Sequence, residues 1–148
     1  MLNKTYEFKA GKDGILTTEI NNNSLYTAGE DDFIRIWDLN SYQKLKEVEA
    51  HNRDITSIKL STDKNSLFST SNDGFIKQWD LDLNLIYEYE PHRSNVNTID
   101  FLSEKEFISA SDDSTMRIYK IKSKGYKEIR PDAGDINALR ITDDYIIA

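Results

Sequence analysis

Histidine, serine and aspartate occur together twice in this chain, and they are the residue types that could do chemistry. One set is His51, Ser69 and Asp73; the other is His92, Ser109 and Asp113. In a hydrolase such a trio divides the labour. The serine oxygen attacks a carbonyl, the histidine takes its proton and the aspartate orients the imidazole. That chemistry needs one constellation in one cleft. Here the sets recur in step, with the histidines 41 residues apart, and each set runs on to an aromatic residue, Trp79 or Tyr119. Residues that repeat with the chain build a repeated object. Both histidines of the chain are consumed in this way, so no imidazole remains as a base or a ligand. No catalytic residue, metal or cofactor is expected, and the chain does not read as an enzyme.

Other chemistries are absent by pattern. The carboxylate clusters Glu30-Asp31-Asp32, Asp112-Asp113 and Asp143-Asp144 lack the spacing of a calcium loop. The six glycines do not form a phosphate cradle before a helix.

The elements that must position these residues come from the repeat. Three segments align: GEDDFIRIWDL (29–39), SNDGFIKQWDL (71–81) and SDDSTMRIYKI (111–121). Trp37 and Trp79 are 42 residues apart, and Tyr119 follows 40 residues later. Periods of about 40 to 45 residues are those of four-stranded propeller blades. The middle unit illustrates the strands: ITSIKL (55–60), then LFSTS (67–71), then a third over 75–81 and a fourth over 85–90. Polar and glycine-containing turns separate them. No helical periodicity is present.

These residues resemble the WD-repeat family, and the likeness spans nearly the whole chain. It rests on the pairs Trp37-Asp38 and Trp79-Asp80, the in-register histidines and the turn aspartates. The resemblance implies an all-β propeller of four-stranded antiparallel blades, each pinned by a His–Ser/Thr–Asp–Trp hydrogen-bond network. His51, Ser69, Asp73 and Trp79 match it fully. The third blade has His92, Ser109 and Asp113, with Tyr119 for tryptophan, and a weaker network is expected. The first has Thr27, Asp31 and Trp37, with Gly11 where histidine is expected; Asp132 stands in that place in a fourth unit.

Blades are expected over 12–50, 51–91 and 92–131, with residues 1–11 an outer strand of a split blade and 132–148 the start of another. Such a propeller is incomplete in this chain. Either the chain is a piece of a larger ring, or copies self-associate through open blade faces to close one. Arg35, Lys77 and Arg117 take equivalent places on third strands, where long stems pack while the charge reaches water or a carboxylate. Gln78 stands polar where Ile36 and Ile118 stand in the neighbouring units.

Composition narrows the partner. Of 148 residues 38% are apolar and 30% charged, with no cysteine. That suits a folded chain in a reducing compartment, the cytoplasm or the nucleus. No apolar run reaches the roughly 18 residues of a membrane helix. A net charge of −7 with scattered Lys and Arg argues against nucleic acid and favours a basic partner. A loop face holding Glu30, Asp32, Arg53, Asp54, Asn72, Arg93, Asn95 and Asp112 is the candidate contact surface. A non-catalytic protein–protein interaction scaffold or adaptor is expected, binding a protein or peptide on that face. The alternative is a regulatory or substrate-recognition domain of an enzyme or ribonucleoprotein complex whose active part lies outside this chain.

Overall fold

Short runs of alternating β-branched and polar residues, cut by polar turns, leave the backbone one economical solution, an antiparallel meander. A computed structural model describes residues 12–131, 134–141 and 146–147. The first sheet comprises β1 (Ile15–Asn21), β2 (Ser24–Gly29), β3 (Phe33–Asp38) and β4 (Lys44–Glu49). The second comprises β5 (Ile55–Leu60), β6 (Leu67–Ser71), β7 (Ile76–Trp79) and β8 (Leu85–Glu88). The third comprises β9 (Val96–Phe101), β10 (Glu106–Ser111), β11 (Met116–Lys120) and β12 (Tyr126–Ile129). Each pairs its strands in chain order and antiparallel. The described residues hold no helix. The fold is all-β, with three four-stranded sheets disposed as propeller blades.

The sheets stack face to face, and the period of two along each strand decides what each face buries. In β6 all five residues are buried. Leu67 points into the core shared with the first blade, among Tyr26, Ile34, Ile36, Ile55 and Trp79. Phe68 points the other way, into an aromatic core with Tyr89, Phe107 and Tyr119. There Phe107 stacks on Tyr119 at 5.1 Å and meets Phe68 edge-on at 5.3 Å, an arrangement favoured by the ring quadrupoles. Inner strands join across blades: the Ile58 amide donates to Thr17 Oγ1 at 3.2 Å, and Thr56 Oγ1 donates to the Val96 carbonyl at 2.5 Å.

One side chain gains a role once placed. Gln78 is buried, its amide donating to Ser66 Oγ at 3.0 Å while its carbonyl accepts from the Tyr89 hydroxyl at 2.9 Å. It is polar because Tyr89, buried beside it, needs an acceptor. For Arg35 and Arg117 the expected choice between water and a carboxylate falls to the carboxylate; they are 4% and 1% exposed. Arg35 meets Asp31 at 2.8 Å and Glu47 at 3.1 Å. Arg117 donates to the Pro91 carbonyl at 2.7 Å and faces Glu128 and Asp113 at 3.5 and 3.6 Å. Lys77 donates to the Ala50 carbonyl at 2.8 Å.

Residues 132–148 are expected to start a blade, and among the described residues of that span Arg140–Ile141 (β13) pairs with Ile146–Ile147 (β14). The third blade captures the preceding segment. The Ile136 amide donates to the Ser111 carbonyl, its own carbonyl accepts from Asn97, and its side chain is buried. The expected strand at 5–10, and Gly11, Asp132 and Asp143-Asp144, lie outside the described residues.

The turn between second and third strands requires positive φ at its third residue. Gly74 supplies it at +87°, and a Cβ there would sit 3.0 Å from the His92 carbonyl oxygen. Asp32 and Ser114 hold the equivalent places at +65° and +63°, where an L side chain costs about 1 kcal/mol. Ser114→Gly should therefore stabilise the fold by about 0.5–1 kcal/mol, and Gly74→Ala should destabilise it by more. Urea unfolding of both variants measures the two changes.

Candidate functional site

The second blade assembles its trio from three separate elements. His51 precedes β5, Ser69 sits in the middle of β6 and Asp73 in the β6–β7 turn. His51 Nδ1 lies 2.9 Å from Asp73 Oδ2, and His51 Nε2 lies 2.7 Å from Ser69 Oγ. Trp79 Nε1 donates to the same serine oxygen at 2.9 Å. One proton assignment satisfies everything: the imidazole donates to Asp73 through Nδ1 and accepts the Ser69 proton at Nε2, and Ser69 accepts from the indole. Asp73 also accepts backbone N–H bonds from Phe75 at 2.9 Å and Asn52 at 3.1 Å.

These are the hydrogen bonds of a hydrolytic trio in a place no substrate reaches. Ser69 is 0% exposed, and the indole covers its oxygen. The arrangement braces the blade. Burial raises the cost of ionising Asp73, but hydrogen bonding and charge from His51, with the Phe75 and Asn52 amides, hold its carboxyl well below the usual range.

The third blade repeats the pattern with a correction. His92 Nδ1 lies 2.9 Å from Asp113, and Nε2 lies 2.6 Å from Ser109. Tyr119 does not join them. Its hydroxyl donates to the Glu90 carbonyl at 2.9 Å. An indole carries its N–H on the flank of the ring, whereas a phenol carries its donor at the far tip, past the serine. Thr115 adds a bond that the sequence reading missed: its hydroxyl and its amide both donate to Asp113. The signal was present, because phenylalanines, Phe33 and Phe75, occupy the equivalent places. Desolvation lowers the pKa of His92, outweighing the opposing pull of Asp113. The pair at neutral pH is thus a neutral imidazole donating to a carboxylate.

The first blade distributes its bonds differently among the described residues. Trp37 Nε1 donates to Thr27 Oγ1 at 3.0 Å. Asp31 binds Arg35 and the amides of Lys12 at 3.0 Å and Phe33 at 3.4 Å. Burial works against the Asp31 charge, but the hydrogen bond and charge of Arg35 together with the Lys12 and Phe33 amides outweigh it, so its pKa falls.

The same bonds fix the loops at one end of the blades. His51 N–H donates to the Asp32 carbonyl, and His92 N–H to that of Gly74, so each turn is tied to the next blade's entry loop. Four residues of the expected contact face are used in such stapling: Asn72 donates to Asp54 at 3.3 Å, and Asn95 donates to Asp112 at 3.0 Å. Asp112 further accepts from Asn97 at 2.6 Å. Glu30 accepts the Gly14 amide at 3.2 Å. Arg53 and Arg93 are exposed, and both line a groove of about 340 Å³ with Asn52, Asn72, Gly74 and Asn95. Asp32 is half-buried among carboxylates. Desolvation, then Asp54, Asp31, Glu49 and Asp73, raise its pKa.

Blades of four antiparallel strands, braced by a repeating interior network and stacked side by side, define a segment of a β-propeller. The model of the WD domain, G-beta repeat, matches residues 42–80 and 83–120; the chain belongs to the WD40 family. Solved structures agree on the fold. The WD40 beta-propeller domain of Doa1 is similar with a TM-score of 0.82 and 24% identity over 92% of this chain and 47% of that one. The RRP9 WD40 repeats give 0.81 and 18% over 88% and 43%. The computationally designed Ika4 protein gives 0.83 and 20% over 99% and 91%. The chain thus spans less than half of the Doa1 and RRP9 chains it resembles. No curated protein sequence matches it.

Acid should unfold the blades in two stages. His92 binds its proton less readily when folded than its ordinary 6.5, so below that pH the unfolded chain takes up a proton that the folded chain refuses. Asp73 and Asp113 lie below their ordinary 3.8 when folded, so near and below that pH the unfolded chain gains protons again. Stability present above neutrality should fall first through about pH 6.5 and again below about pH 4. Thermal melts followed by circular dichroism from neutral to acidic pH read this directly, and a flat profile would contradict it.

Proposed function

We propose that this chain is a rigid protein-interaction scaffold that holds a partner protein or peptide on the loop end of its blades. WD40 propellers are generally interaction domains, typically without catalysis. The observation that carries the reading is the double duty of the brace. Asp73 and Asp113 hold the buried histidines and also the backbone amides of Asn52 and Arg93, the first exposed loop residues of their blades. Loops ordered in advance lose little entropy when a partner docks. Residues that could have done chemistry are occupied in presenting a surface, and a cytoplasmic or nuclear setting suits a chain without cysteines.

The finer partner chemistry is basic. Asp32 lies near Asp54, Asp31 and Glu49 where the first and second blades meet, and desolvation, then repulsion from these carboxylates, raises its pKa; Glu30 precedes them in the same turn. A cation laid there relieves that repulsion. Neutralising the cluster with Glu30→Gln and Asp32→Asn should weaken binding of an arginine-rich peptide several-fold and flatten its salt dependence. Isothermal titration at two ionic strengths tests it; unchanged affinity would remove the basic partner.

One observation favours self-association as well. On the free side of β1, Leu16 and Ile20 are 51% and 58% exposed. Apolar side chains there suit a further blade, in the same chain or in a second copy. If copies pair, sedimentation equilibrium should return a mass above 17.1 kDa, and Leu16→Lys with Ile20→Lys should restore the monomer.

A further inference from the structure

Lysines are not scattered, as the sequence suggests; they gather at the end of the third blade opposite the loop face. Lys105 lies in the β9–β10 turn, Lys120 closes β11, Lys122 and Lys124 lie in the β11–β12 turn and Lys127 in β12. All five are exposed, and none forms an ion pair with another described residue. The backbone that carries them is built. The Ile121 amide donates to the Lys105 carbonyl at 2.9 Å, the Lys122 amide to the Tyr89 hydroxyl at 3.2 Å and the Gly125 amide to Glu90 at 2.9 Å. Against five lysines this end sets Glu104 and Glu106, with Glu90 at the Gly125 amide and Asp63 beside Lys122. A chain of net charge −7 therefore keeps a lysine-rich end in which cations slightly outnumber carboxylates.

Two adjoining grooves of about 570 and 610 Å³ run through the cluster and share Glu106, Lys120 and Ser123. Tyr126 lines the first and is 37% exposed. Its ring is held from within: the Arg117 guanidinium lies 4.0 Å from its centroid and Tyr119 lies 5.5 Å away. Beside it, Gly125 has nothing within 4 Å of where a Cβ would stand, so the approach to the ring is open. Lysines lining a groove beside a fixed, partly exposed aromatic ring are the two components of single-strand recognition.

We propose that this end binds a single-stranded polynucleotide, with the lysines along the phosphates and one base stacked on Tyr126. An acidic peptide would use the lysines but has no need of a rigid aromatic platform, and a bilayer surface would not enter the grooves. The proposal is independent of the loop-end partner, because the two surfaces lie at opposite ends of the blade.

The test is fluorescence anisotropy of labelled oligouridylate and oligothymidylate titrated with the full chain at low salt. Binding in about the micromolar range is expected, with log affinity falling against log salt at a slope of about −2 to −3.5, as three to five neutralised phosphates require. Lys120→Glu, Lys124→Glu and Lys127→Glu together should weaken it by at least about tenfold. Tyr126→Ala should weaken it several-fold while Tyr126→Phe, which keeps the ring, leaves it unchanged. Arg53→Glu with Arg93→Glu, at the other end, should leave it unchanged. Oligouridylate binding more tightly than oligothymidylate would identify the strand as RNA, the reverse as DNA; either supports the site. Should Tyr126→Ala fail to fold by circular dichroism, the lysine variant decides. No binding of either strand, or binding indifferent to the lysine variant, overturns the proposal. So does equal binding of a polyglutamate peptide with no effect at Tyr126, or capture of phosphatidylserine vesicles with neither oligonucleotide bound.

Discussion

A carboxylate in one turn, bonded to an imidazole at the start of its blade, is the interaction on which the architecture depends. Asp73 lies 22 residues from His51 in the chain, and their bond closes the blade's inner three strands into one unit. A polar group sealed inside a sheet stack costs about 1–3 kcal/mol if left unpaired. Serine, imidazole, carboxylate and indole avoid that cost only together. A blade that forms the chain of bonds is therefore held in register by it, and the apolar faces of β6 then meet both neighbouring sheets in a fixed relation.

The three blades show what happens when a member is exchanged. With tryptophan present, the bonds run unbroken from the turn to the third strand, as in the second blade. With tyrosine, the donor overshoots the serine, and Thr115 ties the network more firmly at the turn. In the first blade Asp31 turns to Arg35, and Trp37 donates to Thr27. The arginines on third strands are part of the same logic. They are buried because a carboxylate and a carbonyl are waiting for them, and a guanidinium has enough donors to satisfy several acceptors at once.

The brace also determines where function can reside. It engages the buried serines, histidines and aspartates with one another and hands the backbone of the adjoining loops a fixed shape, which is why the proposed contact surface is sought at the ends of the blades. Both ends mix signs in different proportion: carboxylates around Asp32 with Arg53 and Arg93 at one, lysines around Tyr126 with Glu90, Glu104 and Glu106 at the other. Net charge averages over both and so conceals the local arrangement.

The repeat period, the strands and the identity of the bracing residues were legible in the sequence, because each depends on neighbours in the chain or on the same residue recurring about forty positions later. Blade class follows from that recurrence, and the pairing of His51 with Asp73 is what the resemblance to the WD-repeat family implied. The role of Gln78, the misdirected hydroxyl of Tyr119, the burial of Arg35 and Arg117, the capture of Ile136 by the third blade and the gathering of Lys105 with Lys120–Lys127 were not legible. Each depends on which side chain of one strand or blade stands against which of another. Lys105 meets Ile121 only because β9–β10 and β11–β12 turn at the same end of a sheet, a proximity that sheet geometry creates and chain order does not contain.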